Sequence, residues 1–383
     1  MAQWRIHFNL KIDLTQPDLL EAVIQIHAMA SVIRGIPIPP RVQRRLDRLN
    51  IVRAVRGTTG IEGNELDEQQ VGEILSSVSV DLGSSDSHRS REIQEVRNAA
   101  TLMAHVAERV QGNPQEPVTE HMVQRFHEIL TSGIAYPNNV PGHYRAHGVQ
   151  AGDYHPPADG EEVRRLMQQF ERWLNEGVAR QWDPVVQAIA AHFVLVSIHP
   201  FGDGNGRVSR AVESYLLYKA GINARGYYSL ANYYYQYRPE YIYWLDYVRF
   251  RSDPDLTPFV RFALKGLLSE LDVVHQEVLS EVRVIAFRDY ARETLANQNK
   301  IGSPLGARLL QFLTELEQPA SVAAIRSGRH PLARLYRGLG PKTLQRDLAY
   351  LRENALVVVT GDELRANLEL MTQFTTLNAP QLQ

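Results

Sequence analysis

The sequence predicts a mainly α-helical protein: a helical bundle carrying one small β-hairpin, followed by a C-terminal module of three helices and a second hairpin. Three observations predict it. Apolar residues recur with the 3.6-residue helical period over most of the chain. One stretch, Pro184–Ile198, is apolar almost all round, as a helix buried inside a bundle must be. Strand-like alternation is confined to the N-terminus and to short segments around Gly152-Asp153 and Gly361-Asp362.

Composition sets the outer bounds. A chain of 383 residues suggests two or three domains, and 44% hydrophobic with 22% charged residues is ordinary for a globular protein. The formal charge of −2 implies no bulk attraction to nucleic acid or membrane. Absence of cysteine excludes disulfides and thiol chemistry and fits a cytoplasmic home. No signal peptide and no uninterrupted run of ~18 apolar residues is present, so no membrane span is expected.

Taken in order, Trp4–Ile12 alternates apolar with polar, which predicts a half-buried strand in need of a partner. Asp18–Arg34 reads as an amphipathic helix, and Gly35–Pro40 breaks it. A helix over Val42–Glu62 ends in Thr58-Thr59-Gly60-Ile61-Glu62-Gly63-Asn64. Thr58 and Glu62 share a face, and Gly63 is a natural stop. Glu62 thus stands at the negative end of a helix dipole, where a carboxylate calls for a cationic partner or a function. Helices follow at Glu68–Val78, Ser90–Gln111 and Thr119–Thr131, with a polar loop at Asp81–Ser87. His127 reads as packed rather than catalytic. Gly142-His143-Tyr144-Arg145 leads into a hairpin within residues 146–157, and a helix covers Gly160–Glu176.

Pro200 ends the buried helix. The loop after it reads His199-Pro200-Phe201-Gly202-Asp203-Gly204-Asn205-Gly206-Arg207-Val208-Ser209-Arg210. The next helix carries an apolar stripe at Val208, Ala211, Val212, Tyr215 and Leu216, with Arg207 and Arg210 about 60° apart opposite it. Both guanidinium groups can therefore reach one polar ligand. Gly202, Gly204 and Gly206 let the backbone approach a ligand, and unpaired N–H groups at the following helix start favour phosphate. Asp203 suits Mg²⁺ on a nucleotide, and His199 can take a proton at neutral pH. A phosphoryl or nucleotidyl transferase needs this set. An EF-hand is excluded because its sixth and twelfth positions are Val208 and Ser214, and no Gly-Lys-Ser/Thr P-loop is present.

The run from His199 to Arg210 resembles the signature of the Fic family, enzymes that transfer AMP from ATP to protein hydroxyls. The resemblance implies a Fic-type bundle whose hairpin is a flap that pairs with an extended target segment. It implies that His199 is the general base, Asp203 the magnesium ligand, and Gly204, Asn205 and Gly206 the anion hole. Arg207 becomes a phosphate clamp and Arg210 the γ-phosphate partner. Thr58 to Gly63 resembles the family's inhibitory motif, in which Glu62 would pair with Arg210 and displace the γ-phosphate. Arg238-Pro-Glu-Tyr241-Ile242 resembles a segment of the nucleotide pocket, and only Tyr241 carries over because Ile242 replaces the second tyrosine. His192 reads as a structural histidine, and most tyrosines of Tyr227–Tyr247 as core.

The core is expected to end with helix Pro258–Leu271, and Asp272–Asn299 to run on as helix. Helices at Pro304–Leu316, Ser321–Ser327 and Pro341–Asn354, then a hairpin around Gly361-Asp362, look like a winged helix-turn-helix. Its recognition helix would carry Lys342, Thr343, Gln345, Arg346 and Arg352. An excess of only nine basic over seven acidic residues beyond Ile301 favours protein contact or a homodimer, with DNA the alternative. The expected organisation is residues 1–40 as strand and helix, 41–66 as inhibitory helix, 67–271 as catalytic core, 272–300 as linking helix, 301–371 as the winged module and 372–383 as tail. The expected function is a protein adenylyltransferase acting on a Tyr, Thr or Ser hydroxyl, with ATP as substrate and Mg²⁺ as its ion. A de-AMPylase at the same site and a nucleotide-sensing DNA-binding regulator are the alternatives.

Overall fold

In the computed structural model, residues 6–76, 87–223, 229–251, 253–298, 300, 302–316 and 318–373 are described. The expected loop at 81–86, the start of the tyrosine-rich stretch at 227–228 and the end of the tail lie outside them. Contacts divide the chain into residues 1–276 and 277–383.

The first unit is a bundle of helices: α1 (Pro17–Gly35), α2 (Pro40–Gly60), α3 (Glu68–Ser76), α4 (Ser87–Gly112), α5 (Glu120–Thr131), α6 (Gly160–Asn175), α7 (Pro184–Ile198), α8 (Asn205–Lys219), α9 (Leu230–Gln236), α10 (Arg238–Arg249) and the start of α11 (Thr257–Asn297). Local chemistry sets several starts. Thr119, Asp159, Asp183 and Ser229 each accept a backbone N–H from the first turn of the helix they cap. Pro184 adds a preset φ at the first position of α7.

α7 is the axis of this unit. All its residues except Pro184 and Gln187 are buried, as its composition requires. α8 packs along it, while α2 packs on α9, α4 and α8. That arrangement sets the end of α2 against the start of α8, which is where the loop lies.

The N-terminal strand expected over Trp4–Ile12 does not form among the described residues. Lys11 alone pairs, bridging in parallel to Asp255, with Lys11 N–H donating to Pro254 O at 2.8 Å. The alternation still has a cause: Leu10 is buried, and Phe8 meets Trp173 edge-on at 5.9 Å. An extended segment can satisfy its apolar face against helices, but only another strand can complete a ladder. The hairpin near Gly152 is likewise minimal, a single antiparallel bridge between Ala151 and Tyr154 with Gly152 at φ +60°.

The second unit contains the end of α11, α12 (Pro304–Glu315), β1 (Ala320–Ser321), α13 (Val322–Arg326), a 3₁₀ turn over Pro331–Tyr336, α14 (Thr343–Glu353), β2 (Val357–Thr360) and β3 (Glu363–Ala366). The strands form one antiparallel sheet in the order β1-β3-β2, with Thr360 opposite Glu363 across the Gly361-Asp362 turn. Phe287, Leu295, Leu309, Phe312, Leu348 and Leu351 belong to its own core. The sequence showed the hairpin but not β1, since two residues are too few to carry a period. The two helices expected on either side of Leu271 are one, because nothing between Thr257 and Asn297 breaks the helix.

Candidate functional site

The loop between α7 and α8 is held from below by side chains. His199 closes α7 in the left-handed region, at φ 53° and ψ 58°, a conformation a non-glycine residue holds only when its surroundings fix it. Those surroundings are hydrogen bonds to the last carbonyls of α7. Arg145 Nε donates to His199 O at 2.7 Å, Arg249 Nη2 to Val196 O at 3.3 Å, and Tyr154 Oη to Ser197 O at 2.7 Å. Cations at a helix C-terminus also suit its dipole. The sequence reading placed Arg145 before the hairpin and Tyr154 beside its turn, and gave Arg249 no role. The available signal was a buried helix end with no glycine cap, whose orphan carbonyls had to find donors.

The His199 ring is oriented by the same end. Its Nδ1 lies 3.1 Å from Val196 O, and a carbonyl only accepts, so Nδ1 carries the proton and Nε2 keeps a lone pair. Burial, with the positive fields of Arg249 and Arg145, pushes its pKa down to about 4. His199 is therefore neutral and a proton acceptor at physiological pH.

Gly204, at φ 77°, caps α8, leaving the N–H groups of its first turn for an anion. The Asn205 side chain, expected at the anion hole, instead closes the loop on itself. Its Oδ1 accepts from Phe201 N–H at 2.8 Å and its Nδ2 donates to Phe201 O at 2.9 Å. Only its backbone remains for a ligand. His127 is packed, as read, but it also supports the loop. It is fully buried and stacks on Phe201 at 3.8 Å. Gly142 N–H donates to its Nδ1 at 3.0 Å, so Nε2 carries the proton and donates to Asp203 O at 3.1 Å. Close backbone approach also explains Gly202, where a Cβ would crowd Asn139 Cα at 3.0 Å.

The two arginines do not converge on one point in this state. Arg207 Nη2 donates to Asp203 Oδ1 at 2.8 Å, and its Nη1 to Tyr136 Oη at 2.8 Å. Tyr136 in turn donates to the buried Glu95. Arg210, 2% exposed, is held by α2: Nε donates to Thr58 Oγ1 at 3.0 Å, and Nη2 to Thr58 O at 3.0 Å and to Glu62 Oε1 at 2.7 Å. Burial would raise the Glu62 pKa, but Arg210, helped by Arg207, outweighs it and holds the carboxyl below its usual value. α2 itself stops at Gly60, and Glu62 sits in the tight turn after it, with Gly63 at φ 96°. Tyr241 lies within electrostatic reach of Arg210 and Glu62. It is 3% exposed, and its hydroxyl lies 2.9 Å from His192 Nε2, beside Glu213 and Tyr234. His192 is structural, as expected.

A helical bundle with an anion-binding helix start, a neutral histidine and two guarded arginines around one loop defines a Fic-type domain. Residues 117–217, from just before α5 through most of α8, match the family described as Fic/DOC. The chain is similar to the protein adenylyltransferase Fic of Drosophila ananassae, 34% identical over 239 residues, and to that of Aedes aegypti, 31% identical over 220 residues. These matches cover 60% and 57% of this chain but 43% and 40% of the relatives, so the chain spans about two fifths of their length. Fic-1 of C. elegans has a similar structure, with a TM-score of 0.56 at 25% identity, covering 68% of this chain and 72% of that one. A Fic family protein of Desulfovibrio desulfuricans shares the fold at a TM-score of 0.53 and 22% identity, over 90% of this chain and 95% of its own.

Proposed function

We propose that this chain transfers AMP from ATP to a hydroxyl of a protein segment, and that Glu62 on Arg210 restrains the reaction. The observation that carries this reading is the neutral His199, whose free Nε2 stands at the lip of an anion-binding helix start. Nε2 takes the hydroxyl proton as the oxygen attacks the α-phosphorus. The new O–P bond forms as the bond to the β-phosphate oxygen breaks, and pyrophosphate leaves. Backbone N–H groups of the first turn of α8, with Arg207, stabilise the charge that develops on the phosphoryl oxygens.

Asp203 fits a magnesium ion that arrives with the nucleotide. Its side chain is 37% exposed, and among the described residues no group of three acidic, histidine or cysteine ligands could hold a metal by itself. A hard ion bound by one carboxylate and substrate phosphates is ordinary for Mg²⁺ and neutralises phosphate charge.

The segment 146–150 supports docking of an extended target. Among the described residues no backbone hydrogen bond of the protein engages Val149 or Gln150, which leaves an edge for strand addition beside the Ala151–Tyr154 bridge.

The test is His199→Ala assayed with α-labelled ATP and protein substrates. A general base contributes roughly 10²–10⁴-fold, so label transfer is expected to disappear while ATP binding persists. Undiminished transfer overturns the reading. Release of AMP from a pre-modified protein, with no forward transfer, assigns the site to the reverse reaction.

A further inference from the structure

We propose that the unit spanning 277–383 binds duplex DNA through the solvent face of α14. The small overall charge excess conceals a segregation of sign. From Gln318 to Arg346 the chain contains Arg326, Arg329, Arg334, Arg337, Lys342 and Arg346 and no acidic residue. All six are exposed.

Three neighbouring acids are already engaged, and Glu353, at the far end of α14, is exposed. Asp347 is buried against Arg308 at 2.7 Å, and Glu315 takes Arg334 at 2.6 Å. Asp362 accepts from Ala323 N–H at 2.8 Å, tying the β2–β3 turn to α13, and lies near Arg326. Arg329, Arg337, Lys342 and Arg346 are left with no carboxylate partner among the described residues.

α14 turns Leu344, Asp347, Leu348 and Leu351 inward and presents Gln345, Arg346, Ala349, Arg352 and, at its far end, Glu353 to solvent. Ala349 keeps the middle of that face low, so the helix backbone can approach a groove floor. Gln345 and Arg346, in the first turn, have the reach and donor geometry to read base edges. Lys342 and Arg337 precede the helix and Arg329 follows α13, positions suited to phosphates rather than bases. A protein partner is less well served, because interfaces are built on large apolar anchors. Among the described residues of 318–346, Leu339 is the one large hydrophobic side chain exposed.

The experiment is fluorescence anisotropy of a labelled mixed-sequence DNA duplex titrated with the full chain between about 50 and 200 mM salt. Affinity is expected to fall linearly on a log–log plot, with a slope near −0.9 for each phosphate neutralised. Lys342→Ala and Arg346→Ala are each expected to flatten that slope by about 1, without changing AMP transfer or the thermal melt. No anisotropy change at the lowest salt, or a slope indifferent to both substitutions, overturns the proposal. Single-stranded RNA or polyglutamate displacing the duplex at equal concentration overturns it too, assigning the face to RNA or to an acidic polypeptide.

Discussion

Glu62 and Gly206 share one space. The Glu62 carboxylate occupies the position that a Cβ on Gly206 would take, and the Arg210 guanidinium closes the other side, with Nη1 3.0 Å from that position. The third glycine of the loop therefore does more than permit a turn. It makes room for the Glu62 carboxylate, so loop and α2 are fitted to each other.

Gly206→Ala is expected to loosen α2. The methyl group must push the Glu62 carboxylate off its ion pair and press on Arg210, which Thr58 holds. In a double-mutant cycle with Glu62→Gly, measured by urea unfolding, the two changes are expected to couple by about 0.5 kcal/mol or more. Strict additivity would place the clash elsewhere.

Glu62→Gly and Glu62→Gln are expected to raise AMP transfer by on the order of 10²-fold, the scale of a 1 Å misalignment. Gln keeps the shape and removes the charge, so a gain in both variants assigns the effect to the ion pair. Adding Arg210→Ala is expected to abolish it. Thr58 retains two hydrogen bonds to Arg210, so Glu62 variants free the arginine incompletely, and Thr58→Val on top is expected to increase the gain. Wild-type rates in both Glu62 variants would remove autoinhibition from the account.

The acidic limb of kcat/KM is expected near pH 4, not near 6.5. Nε2 is a base only while unprotonated, so transfer should stay level from neutrality to about pH 5 and fall below it. Arg249→Gln removes one of the fields that depress the value and is expected to move the limb upward, a shift that damage to packing alone would not produce.

His127 links acid to stability. Its folded pKa is pushed down to about 4 by burial, while the unfolded chain takes up a proton at about 6.5. The unfolded state thus binds more protons between those values, and stability is lost as pH falls through that window. At about 1.4 kcal/mol per pKa unit, the loss amounts to roughly 3 kcal/mol by pH 4. Protonation also sets an N–H at Nδ1 against the Gly142 N–H. Urea unfolding from pH 7.5 to 4.5 checks this, with His127→Gln expected to be less stable at neutral pH and flatter across the range.

Much of the site was legible because its parts are close in sequence. The loop and both flanking helices could be read from spacing; one carboxylate at the wrong end of a dipole called for a cation, and only the family resemblance named Arg210, 148 residues away, as that cation. What escaped reading joins distant segments. Glu95 behind Arg207 and Arg249 behind Val196 lie on helices whose own periods say nothing of which neighbour they will meet, and Tyr136 lies in a loop that has no period at all. Asn205 escaped for a different reason: its short amide finds the Phe201 peptide four residues back, a local bond that competes with any ligand. The strand at Trp4–Ile12 failed because alternation reports a half-buried face, not the presence of a second strand.

The staple of Asn205 on Phe201, with His127 beneath Asp203, has a kinetic consequence. A phosphate nest that must fold around its guest binds slowly and loses entropy as it orders. This one is rigid beforehand, so nucleotide capture should run at the pace of diffusion and of Arg210's release from α2, with no closure step of the loop itself.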